Sequence, residues 1–150
     1  MDQKKITIIT VVKNSEKTIE RCIKSVLSQN YNNLEYIIID GNSSDGTEKI
    51  INKYKNQITK IIIGEDSGIW DAMNKGINLA SGEILGFLNA DDYYYDNIFE
   101  IVNNYFLNNN IDFLFGSVEK YKLMHGYNPW KVRWSFGFYT SHSVGFFIKT

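Results

Sequence analysis

The chain has 150 residues, with 16 Lys+Arg against 17 Asp+Glu and a formal charge of −1. A chain this long buries about 68–70% of its unfolded surface, enough for a real core, and 43% hydrophobic with 22% charged residues excludes a disordered polymer. The even charge argues against a nucleic-acid binder with a basic face. The lone cysteine, Cys22, excludes an internal disulfide and fits a reducing compartment.

The first half alternates between two periodicities. Ile6-Thr7-Ile8-Ile9-Thr10-Val11-Val12 is β-branched and nearly continuous, as in a strand covered on both faces. Ile19, Cys22, Ile23, Val26 and Leu27 then recur at helical spacing, with Asn14 or Ser15 expected to cap. Tyr36-Ile37-Ile38-Ile39 is a second strand that stops at Asp40-Gly41. Asp45 and Glu48 have capping-box spacing ahead of a helix carrying Ile50, Ile51, Tyr54 and Ile58. Ile61-Ile62-Ile63 is a third strand. Ile69, Met73, Ile77 and Ala80 are expected to form the buried face of a third helix, closed by Gly82. Ile84-Leu85-Gly86-Phe87-Leu88 is a fourth strand, ending at Asn89-Ala90-Asp91-Asp92. Strand and helix in alternation predict right-handed crossovers and a mainly parallel sheet.

The second half differs. Ile98, Ile101, Val102, Tyr105 and Phe106 predict a helix capped by Asn97 with Glu100 at the box position, and Phe113-Leu114-Phe115 a strand. From Gly116 the chain is aromatic and irregular, and mixed β structure is expected there. Val144-Gly145-Phe146-Phe147-Ile148 reads as a last strand. The chain is expected to be one domain, with no internal repeat or linker. The polar start, Met1 to Lys5, argues against a signal peptide, and no apolar run approaches the ~18 residues of a membrane span. The expected location is cytoplasmic, with peripheral association at the inner face of a membrane still open. The abundance of Ile, Asn and Lys over Arg and Pro suggests an A/T-rich, bacterial coding sequence.

In open parallel sheets ligands bind beyond the carboxyl ends of the strands. Asp40 ends the second strand and Asp91-Asp92 follow the fourth, so the fold is expected to bring both to one crevice. Adjacent carboxylates repel, and a hard divalent cation taking oxygen ligands relieves that repulsion. Such a cation would bridge an anionic diphosphate and stabilise charge on its departing oxygen. Asp40 would be free to accept hydrogen bonds from a base or ribose.

Five ordered blocks carry a resemblance. They are residues 8–14 (Ile-Ile-Thr-Val-Val-Lys-Asn), 25–29 (Ser-Val-Leu-Ser-Gln), 39–47 (Ile-Asp-Gly-Asn-Ser-Ser-Asp-Gly-Thr), 68–76 (Gly-Ile-Trp-Asp-Ala-Met-Asn-Lys-Gly) and 82–92 (Gly-Glu-Ile-Leu-Gly-Phe-Leu-Asn-Ala-Asp-Asp). In this order they resemble glycosyltransferase family 2. The resemblance implies a GT-A fold: a Rossmann-like, mainly parallel sheet flanked by helices. It also implies a nucleotide-sugar donor, most often a UDP-sugar, and Mn2+ or Mg2+. By that likeness Thr10 and Val12 line the nucleoside pocket largely through backbone, and Asp40 meets the base. Asp66 and Gly68 lie beside the nucleotide. Asn74 and Lys75 lie near the diphosphate or sugar, or else on a solvated helix face. Asp91 and Asp92 match the metal-binding "DxD" element, with Asp92 favoured for direct coordination. Trp70, often Tyr in similar sequences, is expected to pack. Lys13 stands where an aromatic residue is common, which leaves base stacking open.

His142, in Ser141-His142-Ser143, resembles the family's "HQ" segment, with Ser143 in place of Gln. It would reach the acceptor or phosphates, or else be structural. An inverting transferase needs a general base for the acceptor hydroxyl, which in the family is a downstream Asp or Glu. No acidic residue follows Glu119. The base is therefore expected beyond Thr150 in a longer enzyme, the alternative being a donor-binding module that transfers poorly. The implied activity is sugar transfer to a glycan or lipid-linked acceptor in cell-surface polysaccharide synthesis. A sugar nucleotidyltransferase is disfavoured because the first turn, residues 12–16, has no Gly, and a dinucleotide-binding oxidoreductase because no G-x-G-x-x-G follows the first strand.

Overall fold

A computed structural model describes residues 3–116, 118–120, 122–124 and 145–150. The elements run β1 (Ile6–Val12), α1 (Ile19–Leu27), β2 (Leu34–Asp40), α2 (Thr47–Lys53), β3 (Lys60–Ile63), α3 (Ile69–Leu79), β4 (Ile84–Phe87), α4 (Ile98–Asn108), β5 (Phe113–Phe115), β6 (Val118–Lys120), β7 (Lys122–Met124) and β8 (Phe146–Lys149). Six strands form one sheet in the order β3-β2-β1-β4-β8-β5. The β1–β2, β2–β3 and β1–β4 pairs are parallel, whereas β8 runs antiparallel to both β4 and β5. A separate antiparallel pair, β6–β7, supplies further mixed β structure. The chain is thus α/β, with the expected parallel half and a mixed later part.

Every residue of β1 is buried, because helices cover both faces of the sheet. The two faces follow strand alternation. Ile6, Ile8 and Val12 join Ile19, Cys22, Ile23 and Val26 of α1 and Phe99 and Val102 of α4 in the larger core. Ile9 and Val11 join Ile37, Ile39 and Leu85 under α3.

Three local expectations change. The inward face of α3 is Ala72 and Gly76, not Ile69 and Ile77, which are 50% and 45% exposed. The reason is closeness: a Cβ on Gly76 would stand 2.5 Å from Ile9 Cγ2, so only small residues fit between helix and sheet. Trp70, expected to pack, is 71% exposed on the same helix. At α1 the cap position is Thr18, without a side-chain cap bond. A turn precedes the helix, in which the Ser15 carbonyl accepts from the amides of Thr18 and Ile19. Asn14 is instead held left-handed, at φ 51°, by work it does elsewhere. Among the described residues no helix is long and apolar enough to cross a membrane.

At the amino-terminal edge of the sheet, Glu35 of β2 is buried and fully engaged. It accepts from the Thr7 hydroxyl at 2.6 Å and from the Ser81 amide and hydroxyl at 2.7 and 2.9 Å, with Lys60 Nζ at 3.4 Å. Burial pushes its carboxyl up, but the bonds from Thr7 and Ser81 and the charge of Lys5 outweigh it and hold it at about 2.

Candidate functional site

Parallel register sets the opposite, carboxyl edge. β1 and β2 finish together, Val12 beside Asp40. The β1–β4 pairing stops earlier, at Ile9 beside Phe87, with the Leu88 amide donating to the Ile9 carbonyl. β1 therefore runs three residues beyond its pairing with β4, at the point where the strand order reverses from β2 on one side to β4 on the other. That is the switch point at which open α/β sheets bind ligands.

Asp40 closes one side of this notch. It is completely buried. Its Oδ1 accepts from the Ser43 amide and hydroxyl at 2.9 and 2.6 Å. Its Oδ2 is buried with no hydrogen-bond partner among the described residues. The turn that places Ser43 is built by two left-handed asparagines, Asn14 at φ 51° and Asn42 at φ 61°, a conformation that Asn tolerates better than most residues. The Asn14 amide donates to Ser43 Oγ at 2.8 Å, and Asn14 Oδ1 accepts from the Ser44 amide at 2.8 Å. Asn14 thus ties the end of β1 to the turn after β2. Sequence reading missed this role; its only trace was an Asn immediately after each strand. Asp45, read as a cap, accepts from the amides of Thr47 and Glu16 at 2.9 and 3.1 Å.

Thr10 and Val12 give their side chains to the core. The Thr10 hydroxyl lies 3.0 Å from the Tyr36 hydroxyl and 3.7 Å from Cys22 Sγ, and Val12 is 6% exposed. Only their backbone is left to meet a ligand. Cys22 is core as read, its thiol pushed up to about 11 by burial.

The loop after β3 comes to the same edge. A Cβ added to Gly41 would collide with the Asp66 carboxylate and touch Lys13 Cδ. So Asp66, Lys13 and the end of β2 converge, and glycine at 41 leaves room for the Asp66 carboxylate to come that close. Asp66 Oδ1 accepts from the Gly68 amide at 3.0 Å. Gly68, at φ 112°, opens α3. Lys75 binds Asp71 Oδ2 at 3.0 Å and the Glu65 carbonyl at 2.8 Å, so its ammonium braces this loop. Asn74 is exposed on α3.

On the other side of the notch, the turn of residues 89–92 leaves β4. The Asp92 amide donates to the Asn89 carbonyl at 3.0 Å, and Asn89 Nδ2 donates to Asp92 Oδ2 at 3.4 Å. Asn89 Oδ1 is buried with no partner among the described residues. Asp91 is exposed and Asp92 half-buried. Among the described residues no group of three or more His, Cys, Asp or Glu could hold a metal ion. Two carboxylates alone would leave the rest of an octahedral shell to water and substrate phosphates, which is how Mg2+-type sites on transferases are ordinarily completed. The donor set therefore fits a divalent cation that arrives with a diphosphate. His142 lies outside the described residues.

Comparison with known proteins agrees with this geometry. The family model "Glycosyl transferase family 2" matches residues 7–149. The chain is 35% identical over 120 residues to the Escherichia coli UDP-Glc:alpha-D-GlcNAc-diphosphoundecaprenol beta-1,3-glucosyltransferase WfgD, covering 79% of this chain and 47% of that protein. It is 32% identical over 95 residues to the putative glycosyltransferase EpsH of Bacillus subtilis, covering 62% of this chain and 28% of that one. The chain thus spans less than half the length of either relative. Among solved structures, S. aureus TarS 1-349 in complex with UDP-GlcNAc superposes with a TM-score of 0.70 at 25% identity, over 74% of this chain and 33% of that one. The Pyrobaculum calidifontis mannosyltransferase PcManGT, crystallised with GDP-Man and Mn2+, shares the fold with a TM-score of 0.69 at 21% identity, over 80% of this chain and 37% of that one. With a family match that runs from β1 through β8, the chain belongs to glycosyl transferase family 2.

Proposed function

We propose that this chain is the donor-binding part of a glycosyltransferase that moves a sugar from a UDP-sugar to a glycan or lipid-linked acceptor. The product would be a cell-surface polysaccharide or glycolipid, made at the inner face of a membrane, with inversion at the anomeric carbon. The observation that carries this reading is Asp40 Oδ2, a fully buried carboxylate oxygen at the switch-point edge with no partner among the described residues. A buried acceptor left unpaired costs about 1–3 kcal/mol. It is explained if a ligand supplies the missing donor, and the imide N–H of uracil is such a donor.

The remaining roles follow from position. Backbone of Thr10 and Val12 would flank the nucleoside, and Asp66 and Gly68 would border it from the β3–α3 loop. Asp91 and Asp92 would hold Mn2+ or Mg2+, Asp92 directly. That ion, when bound, would supply Lewis-acid stabilisation of the departing diphosphate. Lys75 would have to leave Asp71 to reach a phosphate, and Asn74, one residue before it, would meet the phosphate or sugar.

Calorimetric titration with UDP and GDP, with and without Mn2+, tests this reading. Metal-dependent binding with UDP preferred is expected. Absence of metal-dependent nucleotide binding overturns it. Release of sugar from a UDP-sugar, even slowly, separates an enzyme from a binding module.

A further inference from the structure

The family-like block at residues 25–29 has no part in the site as described so far, yet two of its polar side chains, Ser25 and Gln29, share one target. Residues 88–97 carry no helix or strand, so their backbone groups need partners from elsewhere. Besides the bonds of the Leu88 amide to β1 and of the Asp92 amide to the Asn89 carbonyl, partners come from α1 and the turn that ends it. Arg21 Nη2 donates to the Asp91 carbonyl at 3.0 Å. Cys22 Sγ donates to the Asn89 carbonyl at 3.5 Å. Ser25 Oγ accepts from the Tyr94 amide at 3.1 Å. Gln29 donates to the Tyr95 carbonyl at 2.8 Å and accepts from the Ile98 amide at 2.9 Å. Arg21, Ser25 and Gln29 follow one another at intervals of four, so they rise along one side of α1. The guanidinium of Arg21 also lies 4.4 Å from the centre of the Tyr93 ring, gripping the turn on both sides of Asp92.

We propose that Arg21, Ser25 and Gln29 are positioning residues for the Asp91-Asp92 turn, a splint that sets the two carboxylates at the notch before any ligand arrives. The inference rests on the reading of Asp91 and Asp92 as cation and diphosphate residues. Packing alone does not require this arrangement. Tyr94 already anchors the segment, buried and stacked on Phe147 with ring centres 5.9 Å apart. Arg21 is exposed, lies outside the core, and reaches the turn that carries the carboxylates and its flanking tyrosine. The bonds also go to backbone rather than to the carboxylates, so they orient Asp91 and Asp92 without using their oxygens. A preset turn avoids the ordering cost that a loose one would add to cation binding.

The test uses the 150-residue chain, its Arg21→Ala, Arg21→Lys and Ser25→Ala variants, and calorimetric titration with uridine and with UDP plus Mn2+. Groups that orient metal ligands typically contribute ten- to a hundredfold in metal affinity. Arg21→Ala and Ser25→Ala are expected to lower Mn2+-dependent UDP affinity about tenfold with uridine affinity unchanged; the melting temperature should hold in Arg21→Ala and fall modestly in Ser25→Ala, which takes the acceptor from the Tyr94 amide. Arg21→Lys, which keeps one donor for the Asp91 carbonyl, is expected to recover part of the loss. Hydrogen exchange at the Tyr94 amide should quicken in Ser25→Ala without Mn2+ or nucleotide. Wild-type affinity for Mn2+ and UDP in both truncations overturns the inference, as does a loss of uridine binding and melting temperature in parallel, which marks a merely structural role. If the unsubstituted chain shows no Mn2+-dependent UDP binding, the assignment of Asp91 and Asp92 fails first and removes the inference with it, a failure visible before any variant is made.

Discussion

Asp40→Asn separates stability from ligand binding at a single atom. Asn can keep its carbonyl oxygen on the two Ser43 donors, at the 2.9 and 2.6 Å that Oδ1 now has. Its NH2 then stands where the unpartnered Oδ2 stands now. The free protein exchanges a buried orphan acceptor for a buried orphan donor and loses a buried carboxylate. Its stability should be unchanged or higher by about 1 kcal/mol. Binding should move the other way. A charge-assisted hydrogen bond to the base is worth about 1.5–3 kcal/mol, so UDP affinity should fall by roughly 10- to 150-fold. Titration calorimetry with UDP and Mn2+ reads the affinity, and thermal melting reads the stability. UDP methylated at N3 closes the cycle. It should bind the unsubstituted protein as weakly as UDP binds Asp40→Asn, and should lose little further in the variant. Equal UDP affinity in variant and parent, or additive losses from variant and methyl group, would refute the pairing of Oδ2 with the imide.

Other expected outcomes rest on separate parts of the structure. Asp92→Asn should abolish most of the Mn2+ dependence of UDP binding while leaving uridine binding intact, read by the same titrations. Holding the Glu35 carboxyl at about 2 rather than 4.5 is worth about 3 kcal/mol of folding free energy. Because the folded value is the lower one, this stability is present above pH 4.5 and disappears as pH falls toward 2. Denaturant melts at pH 7 and pH 3 should show it, with Glu35→Gln flattening that dependence. Gly82→Ala should destabilise by about 1–3 kcal/mol, since its Cβ would meet the Thr7 amide nitrogen at 2.7 Å and the Lys5 carbonyl at 2.8 Å, and backbone there has no room to yield; the unfolding midpoint in urea checks it.

The parallel half of the fold was legible because both faces of its strands are covered. Residues 6–12 and 36–39 are runs that only a sheet with helices on both sides can bury, and the second of them ends where Asp40 interrupts it. The face of α3 was misread because hydrophobicity was weighed without distance. Ile69 and Ile77 have the right spacing, but the helix approaches Ile9 so closely that Ala72 and Gly76 must face the sheet. The carboxylates of the proposed site stand out in the sequence, and what holds them does not. Asn14, Arg21, Ser25 and Gln29 act through backbone groups tens of residues away, and no local pattern encodes a bond between Arg21 and the carbonyl of Asp91.

The two edges of the sheet show how a site differs from scaffold in a protein of this size. Glu35 and Asp40 sit five residues apart on one strand, both removed from solvent. At the amino edge, both oxygens of Glu35 are engaged by Thr7, Ser81 and Lys60, and the network locks the α3–β4 turn to β1 and β2. At the carboxyl edge, one oxygen of Asp40 and the side-chain oxygen of Asn89 are buried and unpaired, on the two sides of the switch point. A fold that satisfies its buried carboxylate at one edge has the means to do so at the other. An acceptor left open on each flank of the notch costs stability in the free protein, and the proposed ligand, by bringing donors to both flanks, would recover it; on that reading the open oxygens point to the ligand's place more sharply than the carboxylate charges do.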